Sequence, residues 1–134
     1  MTSLEYCPCG YKKAFEQCCG RFLSGMQYAK TPEQLMRSRY SAYALGGYGD
    51  YLLQTWFPAT ARGLTAVELS ERSHEWYKLD VLNKSQQGDN GEVEFKAYFY
   101  ADNRELDAMR ECSTFKRIKG CWYYVGAKVT QTVG

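Results

Sequence analysis

The sequence predicts an α+β fold, with helices packed on an antiparallel sheet and a small cysteine-bearing appendage at the amino end. Apolar residues recur at helical spacing between residues 31 and 76, then at a spacing of two from residue 78 onward. Helices first and a strand meander after them is the order of an α+β domain, not of alternating βαβ units. Four of the six cysteines lie between Cys7 and Cys19, in a stretch too short to build a core of its own.

The chain has 134 residues, enough for one ordinary domain and a short extra module. Its formal charge is only +2 and its basic residues are scattered, so the electrostatic footprint of a dedicated nucleic-acid binder is missing. Twelve tyrosines supply apolar bulk with polar tips, which suits a half-wet cavity or an interface. The amino end has no basic patch followed by an apolar run, and no stretch approaches the roughly 18 apolar residues of a membrane span. The protein is therefore expected to be soluble and cytoplasmic, where thiols stay reduced.

The cysteine stretch reads C-x-C-x8-C-C: Cys7, Cys9, Cys18 and Cys19. Four thiolates suit a closed tetrahedral ion such as zinc, with bonds of about 2.3 Å, and the same set accepts iron. A disulfide framework is the competing reading, because dense cysteines in a short chain often mark one and C-x-x-C is the commoner metal spacing. Gly10 and Gly20 follow the two pairs, where a chain turning its N–H groups towards sulfur often needs positive φ.

Residues 21–30 read as a connector laying Phe22, Leu23, Met26 and Tyr28 on the main domain. Thr31-Pro32-Glu33-Gln34 is a helix start: Thr31 caps, Pro32 takes the first position and Gln34 completes a capping box. This helix should run to about Leu45, with Met36, Tyr40, Tyr43 and Gly47 in one stripe and Arg37 and Arg39 on its shoulders. A short helix follows from Gly49-Asp50, and Pro58 bounds it. A third begins at the capping box Thr65 to Glu68 and is expected to reach about Trp76, with His74 on its surface. Strands follow from Lys78, from Val93 to Phe99, from Met109 to Ile118, and from Cys121 to Val129. Lys119-Gly120 forms the last hairpin. That register sets Ile118 opposite Cys121 and Cys112 opposite Ala127, and both cysteines read as small buried hydrophobes.

The run Cys7-Pro8-Cys9-Gly10 with Cys18-Cys19-Gly20 resembles the SEC-C motif, a zinc-binding module known at the carboxyl end of the translocation ATPase SecA; Tyr11 and Lys12 stand where that motif usually has Ser-Gly. The block Leu35-Met36-Arg37-Ser38-Arg39-Tyr40-Ser41-Ala42-Tyr43, with Asp50-Tyr51-Leu52, Thr55-Trp56-Phe57-Pro58 and the closing Gly-x-Trp-Tyr-Tyr hairpin, resembles the YchJ family of bacterial proteins. Together the resemblances cover nearly the whole chain. They imply a SEC-C knuckle over residues 1–24 with Cys7, Cys9, Cys18 and Cys19 on zinc. They also imply a nuclear transport factor 2-like domain over residues 25–134, a cone of helices against a bent sheet. Relatives often carry a second, carboxyl-terminal knuckle, and often a histidine where Phe57 stands; the chain shows neither.

Two functions from different classes follow. One is a non-catalytic adaptor that docks through the knuckle, with Lys12, Lys13 and Arg21 partly neutralising a four-thiolate zinc centre. By analogy with SecA, its partner would be a SecB-like chaperone, a secretion component or an anionic lipid surface. The other is a small-molecule or enzymatic pocket in the cone, with Arg37, Arg39, Tyr40, Tyr43, Asp50 and His74 as candidate groups. Asp50 also reads as a helix cap, and the arginines as snorkelling side chains. A redox switch that pairs the knuckle thiols and expels zinc is a third reading.

Overall fold

The computed structural model describes residues 6–72 and 74–128. Expectations for Met1 to Glu5 and for the strand end at Val129 lie outside these residues. Four helices, α1 Gly20–Leu23, α2 Pro32–Leu45, α3 Gly49–Gln54 and α4 Ala66–Leu69, precede four strands, β1 Glu75–Gln87, β2 Asn90–Tyr100, β3 Leu106–Ile118 and β4 Cys121–Ala127. The strands form one antiparallel sheet in the order β1-β2-β3-β4, so the α+β reading holds. Two register shifts in β1 and one between Thr114 and Phe115 insert extra residues, which bend and twist a sheet.

Helix α2 is the long member of the helical layer. Thr31 accepts from the Gln34 N–H at 3.1 Å as the cap requires, while the Gln34 side chain takes the Lys30 N–H at 2.8 Å instead of closing the box on Thr31 itself. The helix is buried on more than its stripe: Leu35, Met36, Ser38, Arg39, Tyr40, Ser41 and Ala42 are all buried. It has neighbours on several sides, the sheet, α1 and α3, so a strictly two-faced pattern does not form.

Helix α3 packs on α4, and Gly49 sits at their contact, where a Cβ would lie 1.7 Å from the Ala66 carbonyl oxygen. Asp50 is in the first turn of α3 and Tyr48 is the N-cap residue, so Asp50 does not cap the helix. Helix α4 is one turn, with Thr65 bonded to Glu68 as expected, but it ends at Leu69 and does not reach Trp76. His74 therefore lies ahead of β1, against Trp76 and Phe99, because Trp76 is claimed by the strand pairing with Phe99.

Beyond α3 the chain lies along β4: Phe57 N–H donates to Tyr124 O at 2.7 Å and Tyr124 N–H to Thr55 O at 2.8 Å, which covers the sheet edge. Lys119 and Gly120 both adopt positive φ, and Ile118 pairs with Cys121, as the hairpin reading expected. The shift at Thr114 moves the rest of the register by one, so Ala127 faces Ser113 and not Cys112. Cys112 and Cys121 are half-buried instead of buried; the Cys112 thiol points to Glu92. In the connector Phe22 and Ala29 enter the core, while Met26 and Tyr28 are 84% and 74% exposed. Gly25, at positive φ, turns the chain away after α1.

Replacing Gly49 with alanine is expected to destabilise the protein by about 1–3 kcal/mol in chemical denaturation, because the backbone at Ala66 cannot yield. Gly126→Ala, which meets nothing within 4 Å, is expected to stay within about 0.5 kcal/mol of the parent.

Candidate metal centre and the cone cavity

Two short turns bring the four cysteines together. Cys7 accepts the Gly10 N–H at 3.2 Å and gives its own N–H to Lys13 O at 2.8 Å, closing the first loop. A 3-10 turn, Phe15–Gln17, delivers Cys18 and Cys19 to the start of α1. Gly10 has the positive φ of 103° that the turn needs. Gly20 does not; it is helical, and its lack of a side chain leaves room for the Phe15 carbonyl, 2.7 Å from where a Cβ would be.

The four Sγ atoms lie within 4.8 Å of one another, and all four cysteines are buried and free. Cys9 and Cys18 sulfurs are 3.6 Å apart. A tetrahedral ion with bonds of about 2.3 Å sets its sulfurs about 3.8 Å apart, so the cluster has the right size and donor set for one soft metal ion. Adjacent Cys18 and Cys19 both reach the centre because the chain passes from a 3-10 turn into α1 between them.

The thiols divide charge unequally. Hydrogen bonds from Cys19 and Cys9 draw Cys7 down. Burial, with the charge of Cys9 and Cys7, pushes Cys18 up to about 12, and Cys19 is raised chiefly as the donor to Cys7. A divalent cation inverts this logic, since it lets all four ionise.

The cluster is fastened to α2. Arg37 Nη1 donates to the Cys9 carbonyl at 2.6 Å, and the Ser41 hydroxyl lies 3.7 Å from the Cys7 sulfur. Arg37 in turn pairs with Glu33 at 2.9 Å and stacks on the Tyr11 ring, 4.1 Å from its centroid. Glu33 also accepts from Tyr11 at 3.1 Å and from Lys84 at 2.6 Å. Burial alone would raise the Glu33 carboxyl; the bonds from Lys84, Arg37 and Tyr11 more than offset it and hold it near 2. Arg21 is likewise spent on structure, its Nε bonding Cys18 O at 2.9 Å, whereas Lys12 and Lys13 are exposed.

Of the groups proposed for a pocket, Arg39, Tyr40, Tyr43 and His74 converge on a cavity of about 280 Å³ between α2 and the sheet. Arg37 belongs to the knuckle contact, and Asp50 is exposed beside a separate groove. Arg39 does not snorkel: it is 5% exposed, its Nη1 bonded to Leu52 O and Thr55 Oγ1 at 2.7 Å each. Trp56 and Tyr124 lie against its guanidinium at 4.8 and 4.7 Å. Glu111 joins them in the wall, and no pattern of motif named it. The signal was there in the strand period: Met109, Glu111 and Ser113 alternate, which places an acid on an inward position. Phe57 is absent from the lining.

An N-terminal cysteine knuckle on a helix-and-bent-sheet domain defines a SEC-C motif protein with a nuclear transport factor 2-like fold. Residues 31–127 match the family model described as the YchJ middle NTF2-like domain. The chain is 43% identical to a UPF0225 protein of Shewanella sp. (strain MR-4), over 92% of this chain and 80% of that protein. It is 36% identical to one of Corynebacterium glutamicum, over 88% and 92%. Among solved structures, a SEC-C motif containing protein from Rhodopseudomonas palustris superposes with a TM-score of 0.84 at 33% identity, over 94% of this chain and 99% of the other. Another from Psychrobacter arcticus gives 0.82 at 29%, over 98% and 86%. The chain belongs to the YchJ family.

Because Glu33 ionises far more readily in the fold than in an unfolded chain, its stabilising effect is present above about pH 4.3 and fades as pH falls towards 2. Glu33→Gln is therefore expected to be less stable than the parent at pH 6, by roughly 1–3 kcal/mol after allowance for the exposed Lys84, and to converge with it near pH 2. Urea titrations of both proteins at several pH values check the difference.

Proposed function

We propose that Cys7, Cys9, Cys18 and Cys19 hold one zinc ion and that the loaded knuckle, residues 1–24, is a non-catalytic docking face carried by the domain of residues 25–134. The observation that carries this is the set of four buried, unpaired thiols within 4.8 Å. Closed all-thiolate sites of this kind are structural: the ion supplies folding energy to a segment too small to fold alone. Iron fits the same donors, so its replacement of zinc is a matter of supply.

The exposed side of the knuckle supports a protein partner. Tyr6 and Tyr11, 53% and 42% exposed, stand near Lys12 and Lys13, a mixed aromatic and basic surface beside a centre that carries net negative charge when loaded. A chaperone of the SecB type or another secretion component is the partner the SecA analogy suggests. No helix among the described residues is long and apolar enough to cross a membrane.

Elemental analysis of protein purified without chelator is expected to find one equivalent of zinc or iron, lost in Cys9→Ser and Cys18→Ser. These variants should keep the circular dichroism of the sheet and melt about 5 °C or more below the parent, since Phe22 and the Arg37 bond tie knuckle to core. Metal-free protein with four titratable knuckle thiols and an unchanged melting point would overturn the reading.

A further inference from the structure

The cavity under α2 contains two opposite charges that do not pair. Arg39 has no carboxylate within salt-bridge distance among the described residues. Its Nη1 bonds Leu52 and Thr55. Nε and Nη2 carry three further N–H groups, of which the neighbouring Tyr43 hydroxyl takes one. Among the described residues the fully enclosed side-chain polar atom without a partner is the Trp56 indole nitrogen, which belongs to the same lining. The open space that Arg39 lines is this cavity.

Glu111 is the complementary group. Its Oε2 accepts from Ser113 at 2.7 Å and from Tyr124 at 2.9 Å, which fixes the carboxylate, while Oε1 has no donor among the described residues. The rest of the lining is mostly aromatic and apolar, with Tyr40, Trp76, Phe95 and Phe115 as walls and Met36 and Met109 between them, and with Tyr43, His74 and Ser113 as its further polar groups. At about 280 Å³ the space is at the small end of ligand clefts, enough for one or two fused rings.

These features restrict the guest. An anion would satisfy Arg39 and face the Glu111 carboxylate; a cation would do the reverse. A hydrocarbon would strip water from both groups and return nothing, which buried polar atoms do not tolerate cheaply. A neutral ring with an acceptor beside a donor answers both charges, and aromatic walls favour a planar one. We propose that the cone cavity binds a small uncharged planar cyclic amide, its carbonyl oxygen on Arg39, its ring N–H on Glu111 and its ring between the aromatic side chains. This site is independent of the metal centre and stands or falls without it.

Isoquinolone is a suitable probe, with N-methylisoquinolone lacking the donor and naphthalene lacking both polar groups. Calorimetric or NMR titration of the full chain is expected to show isoquinolone binding at least tenfold more tightly than either control. Editing the probe leaves the protein intact, so a fold defect cannot mimic the result. In Glu111→Met, checked for fold by NMR, the gap between isoquinolone and its N-methyl form should close. Equal binding of all three probes would show a merely greasy hollow, and no binding of isoquinolone at its solubility limit would empty the cavity of this role; either overturns the proposal.

Discussion

The hydrogen bond from Arg37 to the Cys9 carbonyl joins the two parts of this protein, and much of the arrangement near α2 depends on it. A guanidinium with five donors can serve a backbone carbonyl, a carboxylate and an aromatic face together, and Arg37 does so with Cys9, Glu33 and Tyr11. Lys84 then ties the same carboxylate to β1. The knuckle is thus held to the helix and, through Glu33, to the sheet. The buried anchor Phe22 adds an apolar attachment on the other side of the cysteines.

That attachment shapes what the knuckle can do. A module held by a charged network and one core side chain keeps a fixed orientation on α2, with Tyr6, Tyr11, Lys12 and Lys13 turned to solvent. Rigid presentation lowers the ordering cost of docking, which suits an adaptor. The same helix supplies Arg39, Tyr40 and Tyr43 to the cavity, two residues and more beyond Arg37. Successive arginines on α2 therefore serve opposite purposes: one closes the knuckle and the other electrifies an apolar hollow.

Much of the architecture was legible because its determinants are local. The Thr31 cap, the Thr65 box, the positive-φ turn at Lys119-Gly120 and the alternating strands each depend on residues a few positions apart. The candidate metal site was legible for the same reason, all four sulfurs lying within one short segment. The errors share a cause as well. Extending α4 to Trp76 followed helical periodicity, but pairing with Phe99 drew that residue into β1. Facing Cys112 with Ala127 assumed an unbroken register, which the bulge at Thr114 removed. Met26 and Tyr28 are apolar enough to suit a core, but Gly25 turns the chain so that both face solvent.

By itself the sequence determined the order of elements, the caps and turns, the cysteine set and the family. Those follow from spacing along the chain, where backbone preference and side-chain reach act over a few residues. Only the tertiary structure decided which arginine meets the knuckle, that Arg39 is buried with no carboxylate of the described residues in salt-bridge range, and that Glu111, more than seventy residues away, faces the same hollow. Such relations arise when helix and sheet close on one another, because burial and charge pairing depend on neighbours distant in the chain.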